Sequence, residues 1–302
     1  EISACLVGSE MCIRDSFFAV QRARGSVLSA IFAKELLWRA VFIGLVLGSL
    51  FLGYGDLSGE TIAGFYLLSL VCSCLSFARF FVARLKLSPS PAPRTPFTIP
   101  YAQVGSFFGL TLLTMGSIHL DTLILGLAHG PHLAPFFSAQ RATQILNFFS
   151  YSFGVVAAPA ISVAFARGDI QEIQRRSRQV AIVAGGCVLA LGGAIIIEAP
   201  LVMSMFSPAF SSDANLLRIL CIGPIIVTFC GLHSWIPILC GLEKYYLVGR
   251  LALLCVFGLP KLILAAHGNV VGFCILGVAE ASSVALMGAG LCAWKAKIRV
   301  CL

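Results

Sequence analysis

The basic residues of this chain collect in every second gap between apolar segments. Eight segments are long enough to cross a bilayer, since a membrane helix needs about 20 predominantly apolar residues. The basic gaps include Arg79, Arg84, Lys86 and Arg94 and the cluster at 167–178, whereas the intervening gaps contain no Lys or Arg. Because cytoplasmic loops keep the excess of Lys and Arg, this alternation predicts a multi-pass membrane protein with both ends in the cytoplasm. The predicted spans are 36–53, 62–83, 102–127, 133–165, 179–206, 216–240, 245–266 and 269–294.

The amino-acid composition is typical of a membrane protein. Hydrophobic residues make up 59% and charged residues 11%, whereas roughly a quarter of a soluble domain is charged. The net charge of +8 lies almost entirely in the predicted inner loops, where anionic lipid headgroups account for it, so the expected partner is the bilayer and not nucleic acid. The twelve cysteines show no metal-ligand spacing, and no metal site is predicted.

Two segments interrupt the pattern. Residues 1–16 include CLVGSEMCIRDS, which resembles a translated sequencing-adapter scar, and we expect this segment to be non-native. Residues 88–100, SPSPAPRTPFTIP, form a Pro-rich polar stretch typical of a linker. The sequence thus predicts an all-α protein with two spans in 17–87, a cytoplasmic linker at 88–100 and a unit of six spans in 101–302.

The third predicted span has one polar face. Gln103, Ser106, Thr114, Ser117 and Asp121 recur at steps of three, four or their multiples, which places them along one side of a helix. Polar groups at bilayer depth are costly to expose to lipid. We therefore expect this face to line a polar cavity.

The fourth predicted span repeats the pattern. Gln140, Gln144, Asn147 and Tyr151 lie on one stripe, and Arg141 lies beside it. The gap between the two spans, GLAHGPH, is short, so the spans should form an antiparallel pair. Two neighbouring polar stripes indicate a shared, substrate-binding surface.

Asp121 and Arg141 both fall towards the outer ends of these spans. One interpretation is a structural ion pair in which the two charges neutralise each other. The other is that they contact a substrate or a coupling ion. Both hold together if the pair opens when a ligand arrives and so acts as a gate.

Two further ionisable residues lie within spans. Lys261 follows Pro260 near the outer end of the seventh span, where it either snorkels to the headgroups or enters the cavity. Glu280 lies near the middle of the last span among small residues, GVAEASS, and is the best isolated candidate for a protonatable coupling group.

The inner loop ARGDIQEIQRRSRQV contains a capping box, Asp169 followed three residues later by Glu172, which predicts a short cytoplasmic helix starting there. Enzyme signatures are missing from the sequence, which contains no P-loop, G-x-S-x-G or H-E-x-x-H motif. We expect a protein that is not an enzyme.

The region 100–300 resembles the polysaccharide-transporter branch of the multidrug/oligosaccharidyl-lipid/polysaccharide flippase superfamily. The similar elements are an Asp, an apolar run and Gly (121–126), an Ala-x-Arg segment (139–141), the helix Pro159, the Gly168-Asp169 loop, and the order FSPAF, LLRIL and LCGLEKYY within 206–246. Ala134-Pro135-Phe136 departs from the family's Gly and Tyr after the outer turn.

The resemblance implies two pseudo-symmetric lobes of six helices around a central cavity in a bacterial inner membrane. Residues 17–87 would then be the last two helices of the first lobe and residues 101–302 the second lobe. On this interpretation the chain is a fragment of a longer transporter that lacks its N-terminal helices.

Three functions follow as hypotheses. The leading one is a flippase for a polyprenyl-diphosphate-linked glycan, in which Arg141 and Lys261 bind the diphosphate and in which a polysaccharide polymerase or glycosyltransferases are partners. The second is a multidrug exporter of the same superfamily, in which Asp121 or Glu280 binds a coupling H⁺ or Na⁺ and no other cofactor is needed. The third is a membrane-embedded glycosyl- or acyltransferase, which the short loops disfavour.

Overall fold

The computed structural model describes residues 36–52, 58–85, 101–128, 133–295 and 298. The adapter-like segment 1–16 and the linker 88–100 lie outside the described residues. Within the described ranges the chain is helical and has no strand, which confirms the all-α prediction. The helices are α1 Trp38–Phe51, α2 Gly59–Leu85, α3 Tyr101–Leu127, α4 Leu133–Ala166, α5 Ile170–Ile197, α6 Ala199–Ser204, α7 Ala214–Phe229, α8 Trp235–Leu239, α9 Glu243–Ala266 and α10 Val270–Lys295, with a 3₁₀ helix Pro208–Asp213 between α6 and α7.

Each of the eight predicted spans contains a helix. Five are long and apolar enough to cross a membrane among the residues described, or six if α3, which bends by 46° between Val104–Thr114 and His119–Leu127, counts as one span. In α1 and α2 the apolar helical stretches, Trp38–Phe51 and Gly59–Leu75, are shorter. The protein is a multi-pass membrane protein.

The chain divides into two compact units between residues 97 and 98. In the first unit α1 packs on α2, and the Tyr66 ring of α2 makes T-shaped contacts with Trp38 and Phe42 at ring-centroid distances of 5.6 and 6.1 Å. The division falls inside the predicted linker, whose structure is not described. The two-lobe organisation stays a prediction.

The core of the second unit lies between α4, α5, α7 and α10. Leu146, Val188, Leu217 and Phe273 are fully buried there. Small residues let these helices approach, as is usual where lipid removes the hydrophobic drive for helix association. At Gly288 of α10 a Cβ atom would lie 2.5 Å from the backbone carbonyl of His233, so only glycine fits.

Asp169 begins α5 as predicted. Its carboxylate accepts a 3.0 Å hydrogen bond from the Glu172 backbone N–H, and Gly168 turns the chain with a φ of 71°. The prediction of a short helix is wrong, because the helix that begins at Ile170 continues without a break for 28 residues, to Ile197. Glu172 does not complete the capping box but pairs with Arg175 and Arg176 at 2.6 and 2.7 Å.

The predicted span 216–240 is interrupted. Helix α7 ends at Phe229, Gly231 adopts a φ of 64°, and α8 begins only at Trp235. The positive φ of Gly231 explains the break, since such a conformation ends a helix and favours glycine. The turn was not predicted because the residues of the span 216–240 are almost continuously apolar.

Candidate functional site

The packing of α3 determines the site. Helix α3 packs on α9 far more extensively than on α4, the neighbour that follows it in the chain. Leu247 lies against Gly109, Arg250 bonds Thr114 and Lys261 bonds Asp121, so contacts advance in the same direction along both helices. Helices α3 and α9 therefore run parallel, and their C-terminal halves bring Asp121 and Lys261 together.

Three helices contribute one ionisable side chain each to a buried cluster. The Lys261 ammonium of α9 lies 2.8 Å from Oδ1 and 3.0 Å from Oδ2 of Asp121 on α3, and 2.5 Å from Oε2 of Glu280 on α10. The ammonium thus meets three carboxylate oxygens, as many as its three N–H bonds can serve. We call Asp121, Lys261 and Glu280 the ion cluster.

The ion cluster is largely shielded from solvent. The exposed fraction of the side chain is 4% for Lys261, 12% for Glu280 and 23% for Asp121, so its open side is at Asp121. The buried Phe273 ring lies 5.6 Å from the Lys261 Nζ. An unpaired charge at this depth would cost about 2.5–3.5 kcal/mol or more, and mutual pairing is what allows three such groups to be inside the protein.

Lys261 does not snorkel. Its side chain turns inward because two carboxylates satisfy the ammonium better than a distant headgroup could. Pro260 immediately precedes it inside α9, where a proline lacks the N–H that would bond the preceding turn. The Lys261 ammonium thus lies inside the protein, and its predicted role in a cavity stays a prediction.

The suggested ion pair between Asp121 and Arg141 does not form. Asp121 is bonded to Lys261, whereas Arg141 is exposed, donates from Nη1 to Oε1 of Gln144 at 3.2 Å, and stacks over the Phe137 ring at 4.9 Å. The physical reason is that α3 turns its Asp121 side towards α9. Arg141 remains a candidate for anion binding, since its surroundings include no carboxylate in the contacts above.

The polar stripe of α4 divides by burial. Gln140 and Gln144 are half-buried, and Oε1 of Gln140 accepts a 3.2 Å bond from the Thr122 hydroxyl across to α3. Asn147 and Tyr151 are exposed, and the Tyr151 ring lies 5.8 Å from that of Trp235. An amide and a phenol exposed on a helix whose other exposed residues are mostly apolar are unsuited to lipid, which favours an aqueous cavity at this face.

The hydroxyls of α3 are mostly engaged with their own helix. Thr114 and Ser117 donate to the carbonyls of Leu110 and Leu113 at 2.7 and 2.6 Å. Ser106 is half-buried, and the side chain of Gln103 lies outside the described residues. Their predicted role in lining a cavity stays a prediction.

Sequence reasoning missed Arg250, which lies within the predicted span 245–266 and was not among the candidate site residues. It lies in the second turn of α9, and its Nη1 donates to the Thr114 hydroxyl at 2.7 Å.

Two buried oxygens, Oε2 of Glu243 and Oγ of Ser282, have no hydrogen-bond partner among the described residues. No local signal in the sequence distinguishes these positions from their neighbours.

Metal ligation is not indicated by the side chains that are described. Over the described ranges no three His, Cys, Asp or Glu side chains come together as a metal site would require. The ion cluster has two carboxylates, and a lysine occupies the space between them.

Comparisons with known proteins identify the fold. No family model matches the sequence, and no curated protein does either. Among solved structures, a MATE transporter in complex with MaL6 superposes with a TM-score of 0.70 at 19% identity, covering 92% of this chain and 65% of that one. An outward-facing multidrug resistance MATE family transporter of the MOP superfamily gives 0.67 at 19% identity, covering 91% and 64%.

A MATE structure in the straight conformation gives 0.68 at 18% identity, with 91% and 64% covered. The chain therefore spans about two thirds of the length of the structures it matches. At 18–19% sequence identity these superpositions establish a shared backbone fold and nothing further. The chain has the fold of the MATE transporters.

Proposed function

We propose that this chain belongs to a cation-coupled exporter of the MOP superfamily, of the multidrug MATE type, and that the ion cluster is its coupling site. The single observation that supports the coupling site is the buried contact of Lys261 with Asp121 and Glu280. It joins α3, α9 and α10, so a change in its charge alters the attraction between three helices at once.

Charge counting supports coupling. With both carboxylates ionised, the ion cluster has two negative charges and one positive charge, a net charge of −1. Binding one cation, H⁺ or Na⁺, would neutralise it and weaken the hold of the carboxylates on Lys261. Buried charged groups are rarely needed for stability, since apolar residues of similar volume usually replace them at little cost. Their presence at bilayer depth is therefore a mark of function.

The ion cluster favours export of drugs over transport of a lipid-linked glycan. The glycan hypothesis assigned the diphosphate to Arg141 and Lys261, but the Lys261 ammonium already serves three carboxylate oxygens. A diphosphate approaching Lys261 would also meet two negative charges. Of the two cations that the glycan hypothesis needs, only Arg141 is exposed and so accessible to an anion.

Efflux by the full-length protein in bacteria without their own exporters tests the proposal. Asp121→Asn and Glu280→Gln should abolish efflux of a fluorescent cationic dye while the protein stays in the membrane. Glu198→Gln is the matched control, because Glu198 is exposed and makes no capping bond to α6. Efflux at the unmodified rate by both cluster variants would refute the coupling role.

A lipid-linked glycan flippase is the second candidate, and the exposed polar face of α4 favours it. Arg141, Asn147 and Tyr151 are exposed on one helix whose other exposed residues are mostly apolar, and Gln144 bonds Arg141. Amides and hydroxyls suit sugar hydroxyls. Restoration of surface polysaccharide in a flippase-deficient strain, and its loss in Arg141→Gln, would favour this function over drug export. An inner-membrane location with cytoplasmic ends, and a polymerase or glycosyltransferases as partners, belong to the same proposal.

A further inference from the structure

Lys261 occupies the position where a metal cation would have to bind. Its Nζ lies within 3.0 Å of both Asp121 oxygens and at 2.5 Å from Oε2 of Glu280. A hard cation needs those same oxygens as ligands, at distances comparable to or shorter than these. The ammonium and a metal ion therefore cannot occupy the ion cluster together.

The ammonium is also held in place. Lys261 is 3% exposed as a whole residue, and its Nζ lies beside Phe273 and within 3.8 Å of the position that a Cβ of Gly277 would take. Moving the ammonium away from the carboxylates would leave it buried without a partner. Removal of one partner of a buried ion pair typically destabilises a protein strongly, which is why the lysine stays where it is.

A proton, unlike a metal ion, can bind to the cluster without displacing the Lys261 ammonium. It adds to one carboxylate oxygen, changes the net charge of the cluster from −1 to zero, and leaves the other carboxylate paired with Lys261. The titratable groups that interact with Lys261 and Asp121 among the described residues are each other and Glu280, and Cys274 of α10 lies close to both. Because both carboxylates contact the same ammonium, a proton on one of them changes the charge that the whole cluster presents.

We propose that Lys261 is a tethered cation that determines ion selectivity: it excludes Na⁺ from the ion cluster and leaves the proton as the ion that couples. The proposal rests on the proposed coupling function and specifies its ion. It also makes a positive prediction. Replacement of Lys261 by a neutral side chain should open the two carboxylates to Na⁺.

Thermal unfolding of the purified full-length protein in NaCl and in choline chloride tests the proposal without any transport assay. Lys261→Met should raise its Tm by roughly 2–4 °C at about 100 mM NaCl, whereas the unmodified protein should not respond. Glu280→Gln in the Lys261→Met background should remove the response. Lys244→Met is the matched control, because Lys244 lies on the same helix but is exposed. Lys261→Gln serves if the methionine variant does not fold.

Three results would overturn the inference. These are a Na⁺ response of the unmodified protein that Glu280→Gln removes, no Na⁺ response in a folded Lys261 variant, or export by the unmodified protein that a Na⁺ gradient drives at constant pH. If neither lysine variant folds, the experiments on the unmodified protein still decide between H⁺ and Na⁺. Export that follows neither gradient would instead refute the proposed function, and the binding result would stand separately.

Discussion

Lys261 and Asp121 are joined by two hydrogen bonds, at 2.8 and 3.0 Å, although 140 residues separate them in the chain. The parallel packing of α3 and α9 makes this contact, and Glu280 of α10 accepts a further hydrogen bond from the same ammonium. The balance of charges in this group has a direct consequence for stability.

We predict that Lys261→Met alone is more destabilising than the triple change Asp121→Asn, Lys261→Met and Glu280→Gln. The single change leaves two carboxylates without their cation, which typically costs about 3–5 kcal/mol, whereas the triple change leaves no charge behind. Thermal unfolding in sodium-free buffer measures the difference. A triple variant less stable than the single one would show that the cluster stabilises the fold by more than charge compensation.

We predict that Thr114→Val weakens the contact between α3 and α9 by about 0.5–1.5 kcal/mol, because Arg250 then loses the hydroxyl that accepts its exposed Nη1 hydrogen bond. Thr111→Val is the matched control. Thr111 lies one turn earlier, is exposed, and bonds only back to the Phe107 carbonyl in the contacts described. Equal loss of stability in the two variants would argue that the Arg250 contact contributes nothing.

We predict that Gly288→Ala lowers the Tm markedly whereas Gly290→Ala does not. A Cβ at Gly288 would lie 2.5 Å from the His233 carbonyl oxygen, and a backbone atom cannot move aside as a flexible side chain can. Gly290, two residues along the same helix, has no atom within 4 Å of the corresponding position. The cost of overpacking is typically about 1–3 kcal/mol. Unchanged stability of Gly288→Ala would mean that α10 can move away from the α7–α8 turn.

We predict that Glu172→Cys, introduced into the full-length protein without its native cysteines, reacts with a membrane-impermeant thiol reagent only after the cells are opened. By the positive-inside rule, the cluster of Arg167, Arg175, Arg176 and Arg178 predicts that this end of α5 lies in the cytoplasm. Position 172 is partly accessible in the structure, so a thiol there can react. Reaction in intact cells would reverse the predicted orientation.

The membrane architecture was predictable because it depends on local properties. Length and apolarity of a segment decide whether a helix can span lipid, and the side-chain oxygen of Asp169 decides where α5 begins. Polar residues inside spans are also visible in sequence, which is how Asp121, Lys261 and Glu280 were found as separate candidates. None of these inferences needs to know which helices touch.

Which cation pairs with Asp121 was decided by the tertiary structure alone. The sequence favoured Arg141 as the partner of Asp121, because a short gap joins their helices, yet α3 packs mainly on the distant α9. Which of several cations meets a carboxylate depends on helix rotation and neighbour order, and these follow from packing summed over whole helices. The turn at Gly231 was hidden for the same reason, since the apolar residues around it satisfy a continuous and a broken helix equally well. The sequence alone determined that this chain spans a membrane and which charges lie within it, and the packing of α3, α9 and α10 decided that three of those charges form one site.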